Sequence, residues 1–142
     1  MIEVEVRRTF AAPIERVWQR YTDHASWTAW AGLGTAAVVR PGTPPPNGAG
    51  AVRRIGVAGV TVEEEVVDFE PPRRMTYRLV RGGFPLRDHL GEVTFTPEGA
   101  GTHLTWRVRC TSAIPATSWL IGAFLRLIFT RALDGLARDL RA

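Results

Sequence analysis

The sequence predicts an α+β domain in which an antiparallel sheet of about six to seven strands packs on one long C-terminal helix. Three observations predict it. Two alternating runs on either side of Pro97-Glu98-Gly99-Ala100-Gly101 make a hairpin pattern. Other short alternating runs follow one another with Pro- and Gly-marked turns between them, the pattern of an antiparallel meander. The chain then ends in a long apolar helical segment, which a sheet can bury only against its own concave face. At 142 residues this is a single domain, residues 1–142, long enough for a real core.

The elements follow in order. Ile2–Phe10 alternates as a half-buried strand, with Ile2, Val4 and Val6 on one face and Glu3, Glu5 and Arg7 on the other. Pro13 suits a first helical turn. Ile14, Val17, Trp18 and Tyr21 then fall at i, i+3, i+4 and i+7, one apolar stripe. Thr22–Trp30 reads as a second short helix or turn. Gly32 to Arg40 is a weak strand, and Pro41–Gly50, rich in Pro and Gly, is a loop expected to move and admit a ligand. Strands are expected at Ala51–Val57, Val60–Phe69, Arg74–Val80, Arg87–Thr96 and Thr102–Thr111.

The final helix is expected over Pro115–Leu140. At about 100° per residue, Phe124, Leu125, Ile128, Phe129, Ala132 and Leu136 share a broad face. Gly122 and Gly135 each cost about 1 kcal/mol relative to Ala inside a helix, which makes sense if a side chain there would strike a strand or occupy a cavity.

Composition narrows the function classes. The net charge is +4 and every basic residue is Arg, but the arginines are scattered from Arg7 to Arg141 without interleaved aromatics, which argues against nucleic acid. The single Cys110 rules out an internal disulfide and fits a reducing compartment. The N-terminus lacks the apolar run of a signal peptide, and the longest apolar stretch, Trp119–Phe129, contains Arg126 and is too short to span a bilayer. A soluble, cytoplasmic protein is expected; a homodimer is left open.

Period-2 alternation also sorts side chains between faces. Leu104, Trp106, Val108 and Cys110 should face the helix. His89, Gly91, Val93 and Phe95 share a face, as do Met75, Tyr77 and Leu79, and Val60, Val62, Glu64, Val66 and Asp68. Glu64 and His89 are thus polar residues among apolar neighbours. Three readings stay open for them: a one-residue register error or a structural bond, a ligand anchor, or an acid–base pair able to move a proton. Tyr77 and Trp106 are core or ligand-orienting, each through one polar handle. Arg53 and Arg54 are solvated surface unless one points inward to meet an acidic head group. Metal-ligand spacing, a phosphate-binding glycine loop and a nucleophile elbow are all missing, and Cys110 inside a strand reads as a small hydrophobe.

The chain resembles the START-like, or SRPBCC, superfamily over nearly its whole length. The resemblance is carried by the order and spacing of Ala-Pro-Ile-Glu-Arg-Val-Trp at Ala12–Trp18, the Trp27/Trp30 pair, Gly-Ala-Gly-Ala-Val-Arg at Gly48–Arg53, Glu64-x-Val66 before Glu70-Pro71-Pro72, and Gly101-Thr-His-Leu-Thr-Trp106. It implies a helix-grip fold: a curved sheet around the long helix, with a hydrophobic tunnel between them. The leading expectation is therefore a binding protein for a small hydrophobic molecule such as a lipid, polyketide or isoprenoid. Val66, Tyr77, Trp106, Val108, Phe124 and Ile128 would line the cavity, Trp30 would stand near its mouth beside Trp27, and Glu64 and His89 would be polar anchors. The first alternative is a polyketide aromatase/cyclase or dehydratase, an activity the resemblance implies without any cofactor, with Glu64 and His89 as its candidates. The second alternative is an interaction module similar to the activator of a heat-shock chaperone ATPase, which would need an exposed apolar patch beside the first helices.

Overall fold

A computed structural model describes residues 1–57, 59–83 and 86–141. Among these the elements appear in the expected order: β1 (Ile2–Phe10), α1 (Ile14–Thr22), α2 (Trp27–Trp30), β2 (Thr35–Arg40), β3 (Val52–Val57), β4 (Val60–Glu70), β5 (Arg74–Gly82), β6 (Leu86–Glu98), β7 (Gly101–Ser112) and α3 (Ser118–Arg141). The strands form one curved antiparallel sheet in the order β1-β7-β6-β5-β4-β3-β2. This is the helix-grip architecture. Because β1 and β2 lie at opposite edges, α1 and α2 must carry the chain across the sheet between them.

Alternation accounts for most of the inward faces. On β7, Thr102, Leu104, Trp106, Val108 and Cys110 are buried, and on β6 so are Gly91, Val93 and Phe95. The hairpin turn is tighter than expected: Glu98 pairs with Gly101, and Gly99 takes a positive φ of 60°. On β4 the pattern breaks. The register shifts between Val66 and Phe69, so Asp68 is exposed, against expectation, and Phe69 meets Trp18 at 5.2 Å. A cluster of edge-on rings then fills the centre: Tyr21 packs against Trp27, Phe95 and Trp106 at 5.2–5.6 Å.

Helix α3 starts later than expected. Thr117 carbonyl oxygen accepts from the N–H groups of Leu120 and Ile121, and Ala116 has a φ of 64°, so the helix cannot run back to Pro115. Its second half is sunk into the core through Phe129, Ala132, Leu133, Leu136 and Leu140. Two ion pairs hold that half down, Arg8 to Asp134 and Arg20 to Asp139, the latter bidentate at 2.7 and 3.1 Å. No residue from Ser118 to Ile128 is fully buried, and Trp119, Leu120 and Leu127 are exposed. Gly135 is required for close approach, because a Cβ there would lie 1.7 Å from the Trp30 carbonyl oxygen; the obstacle is α2 and not a strand. Gly122 has no such role, since its Cβ would meet Ile2 at an ordinary 3.7 Å.

Candidate functional site

The lightly packed first half of α3 leaves a cavity of about 70 Å³ between the helix and the sheet. Helix α3 contributes Leu125, Ile128, Phe129 and Ala132; β3 contributes Ile55 and Val57; and β4 contributes Val62 and Glu64. Tyr77 and Leu79 of β5, Leu86 and His89 of β6 and Trp106 of β7 continue the wall, and Trp27, Ala31 and Leu33 complete it. The volume exceeds the ~10–15 Å³ that one water needs but is below the ~300 Å³ where drug-sized sites begin. Anything larger than a few waters therefore has to displace half-buried side chains such as Leu79, Leu86, Leu125 and Ile128. The wall is almost entirely apolar, and Glu64 and His89 bring a carboxylate and an imidazole to it.

Glu64 is held from behind. Arg53 lies opposite it in the β3–β4 register and is buried to 1 % exposure. Its Nε donates to Glu64 Oε1 at 3.0 Å, and Nη2 lies 3.0 Å from the same oxygen. The guanidinium is sandwiched between the rings of Trp27 and Tyr77, 4.4 and 4.5 Å from their centroids. Burial opposes its charge, but Glu64 and the neighbouring tyrosines outweigh that and keep Arg53 protonated. Arg53 is thus not solvated surface, whereas Arg54 is exposed and pairs with Glu63 at 2.8 Å. Nor does Arg53 await an acidic head group, since Glu64 already neutralises it.

Two further groups complete this buried cluster. His24 Nε2 donates to the carbonyl oxygen of Asn47 at 3.1 Å, leaving Nδ1 unprotonated 3.3 Å from Arg53 Nη1, a donor. Burial first, and the Arg53 charge second, lower the His24 pKa to about 3. His24 N–H also reaches Asn47 Oδ1 at 3.3 Å, so the Pro41–Gly50 loop is tied to the core. That loop carries its own Thr43–Ala49 bridge, and Gly50 N–H bonds Val66 carbonyl oxygen at 2.8 Å. Among the described residues it contributes none to the cavity wall. Arg53 Nη2 is buried and meets Glu64 Oε1 as an ion-pair contact, without hydrogen-bond geometry to any described residue.

His89 is positioned by β5. Leu79 N–H donates to its Nδ1 at 3.1 Å, which places the ring proton on Nε2. Burial lowers the His89 pKa, with Glu64 pulling it the other way. Tyr77 accepts from Trp106 Nε1 at 2.7 Å, and its ring sits over Gly91, where a Cβ would come within 2.2 Å of Cζ.

Of the side chains predicted to form the site, Glu64, Tyr77, His89, Trp106 and Ile128 come together around the cavity. Four do not. Val66 lies one inward step beyond Glu64 on β4, with its backbone bonded by Gly50 and Ala51. Val108 is buried between Val4 and Gly91, towards the β1 edge that α3 covers. Trp30 is buried behind Trp27, with its Nε1 bonded to Ser26 Oγ at 2.9 Å, so it does not gate a mouth. Phe124 lies about 140° around α3 from the buried Phe129, at about 100° per residue, and lines an adjoining surface groove that shares Ala31, Leu33, Val57 and Ile128 with the cavity wall. Trp27 and Leu125 belong to the wall instead. Among the described residues no His/Cys/Asp/Glu group could hold a metal, and no helix is long and apolar enough to cross a membrane.

Comparison with known proteins agrees with this architecture. Residues 1–142 match the family described as polyketide cyclase / dehydrase and lipid transport. No curated protein matches significantly. The fold is similar to XoxI from Bacillus cereus (17 % identity, TM-score 0.81, 98 % of this chain on 95 % of that one) and to a START superfamily protein from Mycobacterium smegmatis (16 %, 0.79, 97 % on 98 %). It is also similar to DynU16, a protein of the dynemicin biosynthetic locus (24 %, 0.75), where the whole chain covers 48 % of the other's length.

Proposed function

The chain belongs to the polyketide cyclase/dehydrase and lipid transport family, and on that premise we propose that it binds a small hydrophobic molecule in the cavity between α3 and the sheet. The observation that carries this reading is an apolar cavity with two aligned polar groups, at the place where α3 is least packed. Apolar burial at about 25 cal/mol per Å² supplies the affinity. The wall can widen by outward movement of Leu125 and Ile128, whose stretch of helix contains no fully buried residue. The occurrence of the similar DynU16 in a biosynthetic locus is in keeping with an organic metabolite as ligand.

NMR titration with a panel of small aromatics (phenol, toluene, indole) tests the reading. Saturable shifts at Leu79, Leu125 and Ile128 are expected. Ile128→Trp should fill the space and remove the shifts at Leu79 and Leu125. Absence of saturable shifts with every probe, or indifference to Ile128→Trp, refutes the reading.

A second reading, cofactor-independent cyclase or dehydratase chemistry, is favoured by Glu64 and His89 lining the same cavity. His89 Nε2–H would polarise a carbonyl oxygen and the free Glu64 oxygen would take a proton from an adjacent carbon, the protein otherwise acting by positioning. His89→Ala would then abolish turnover of a poly-keto substrate while sparing its binding. Equal loss of both would leave binding as the function.

A further inference from the structure

We infer that the polar end of the ligand is a neutral hydroxyl, of an alcohol or a phenol, held by Glu64 and His89, and that the cavity rejects carboxylates; this deepens the binding reading above and rests on it.

The argument is one of donors and acceptors. Both contacts from Arg53 fall on Glu64 Oε1, so Oε2 is an acceptor with no partner among the described residues. Leu79 N–H occupies His89 Nδ1, so Nε2–H is a donor with no partner among the described residues. The register brings them to one stretch of wall, because Glu64 pairs with Leu79, the residue that fixes His89. A hydroxyl is the smallest neutral group that donates and accepts through one and the same atom, and unlike an amide it leaves no further polar atom to be satisfied by the apolar wall.

The alternatives fail on charge. The cavity wall holds no arginine among the described residues, and the nearest cation, Arg53, is 1 % exposed and engaged by Glu64. An incoming carboxylate would therefore meet Glu64 with no free cation to offset the repulsion. An ammonium fares little better, since Arg53 already balances Glu64 and a second cation would leave net charge in an apolar space. A pure hydrocarbon fits the apolar wall but strips two polar groups of water and returns no bond to either.

Phenol, toluene and benzoate separate these cases, since toluene replaces the hydroxyl with a methyl group of similar size. In NMR titrations at pH 7, phenol should bind about tenfold or more tightly than toluene, and benzoate should give no saturable shift at Leu125 or Ile128. The His89 Nε2–H resonance should move with phenol and stay in place with toluene. His89→Leu should cut the preference for phenol over toluene to about threefold or less, while toluene still binds. Toluene binding as tightly as phenol to the wild-type protein, or benzoate matching phenol, overturns the hydroxyl inference and leaves the cavity reading intact. If no probe binds, both fall together.

Discussion

Arg53 and Glu64 stand directly opposite each other on β3 and β4, and the buried Arg53 Nε donates to Glu64 Oε1 at 3.0 Å. One carboxylate therefore serves two compartments. Its Oε1 closes a charged cluster inside the core, and the same side chain lines the cavity. The core side is stiffened by aromatic faces on both sides of the guanidinium and by His24 beneath it. A polar anchor of a binding site is thus fixed by structure that the ligand never touches, and the site is pre-formed on strands, not on a loop.

Glu64→Gln should expose the cost of this arrangement. Arg53 would remain buried and lose its counter-charge, a change that typically costs about 3–5 kcal/mol. The double variant Arg53→Met/Glu64→Leu replaces both charges with apolar groups and should be markedly more stable than Glu64→Gln alone. Urea denaturation at pH 7 measures both. A double variant no more stable than the single one would show that the cluster is stabilised by something other than charge balance.

Gly91→Ala tests the seat of Tyr77. The new methyl would lie 2.2 Å from the ring, which must move and break its 2.7 Å bond with Trp106 Nε1. A loss of about 1–3 kcal/mol is expected, as for other overpacked cores. Combining it with Tyr77→Ala, which empties the seat, should cost clearly less than the sum of the two single losses. Strict additivity in a double-mutant cycle would mean that the two positions are not in steric competition.

The two helical glycines should part company. At Gly122 a Cβ meets Ile2 at an ordinary 3.7 Å, so Gly122→Ala should gain about 0.5–1 kcal/mol from helix propensity. At Gly135 the same methyl falls 1.7 Å from the Trp30 carbonyl oxygen, so Gly135→Ala must push α2 off α3 and destabilise in spite of that propensity. Thermal melts of the two variants should shift in opposite directions; a shared direction would refute the account of Gly135.

These cases show what alternation can and cannot reveal. Strand positions, the inward faces of β6 and β7 and the grouping of Glu64 with His89 are all legible, because one face of each strand must be apolar. The role of Arg53 was legible in principle too. It shares parity with Ile55 and Val57, and the pairing of Val57 with Val60 sets it opposite Glu64. Its charge argued for solvent, and that general preference masked the register. The shift between Val66 and Phe69 leaves no periodic signal, so alternation alone puts Asp68 on the same face as Val66. On α3 the apolar arc covers about half the circumference, too broad to show that Phe124 turns away while Leu133 and Leu140 are buried. The size of the void is a property of packing across several elements and has no local signature.

His24 should make stability depend on pH in a window set by its own pKa. It is held neutral by its burial and by Arg53, with a folded pKa of about 3 against an ordinary value of 6.5. Between those values the unfolded chain binds a proton that the folded protein refuses, so stability falls as pH drops from 6.5 towards 3 and levels off below that. The slope approaches about 1.4 kcal/mol per pH unit for one such group. His89, whose pKa is also lowered by burial, contributes with the same sign. His24→Gln preserves a donor for Asn47 carbonyl oxygen and an acceptor for Arg53 but cannot titrate. Urea midpoints measured from pH 6.5 to 5, above the range where carboxylates dominate, should fall less steeply in His24→Gln than in the wild-type protein, by close to one proton's worth. Identical slopes would mean that His24 takes up its proton in the fold as readily as outside it, and that the Asn47–His24–Arg53 chain does not hold the ring neutral.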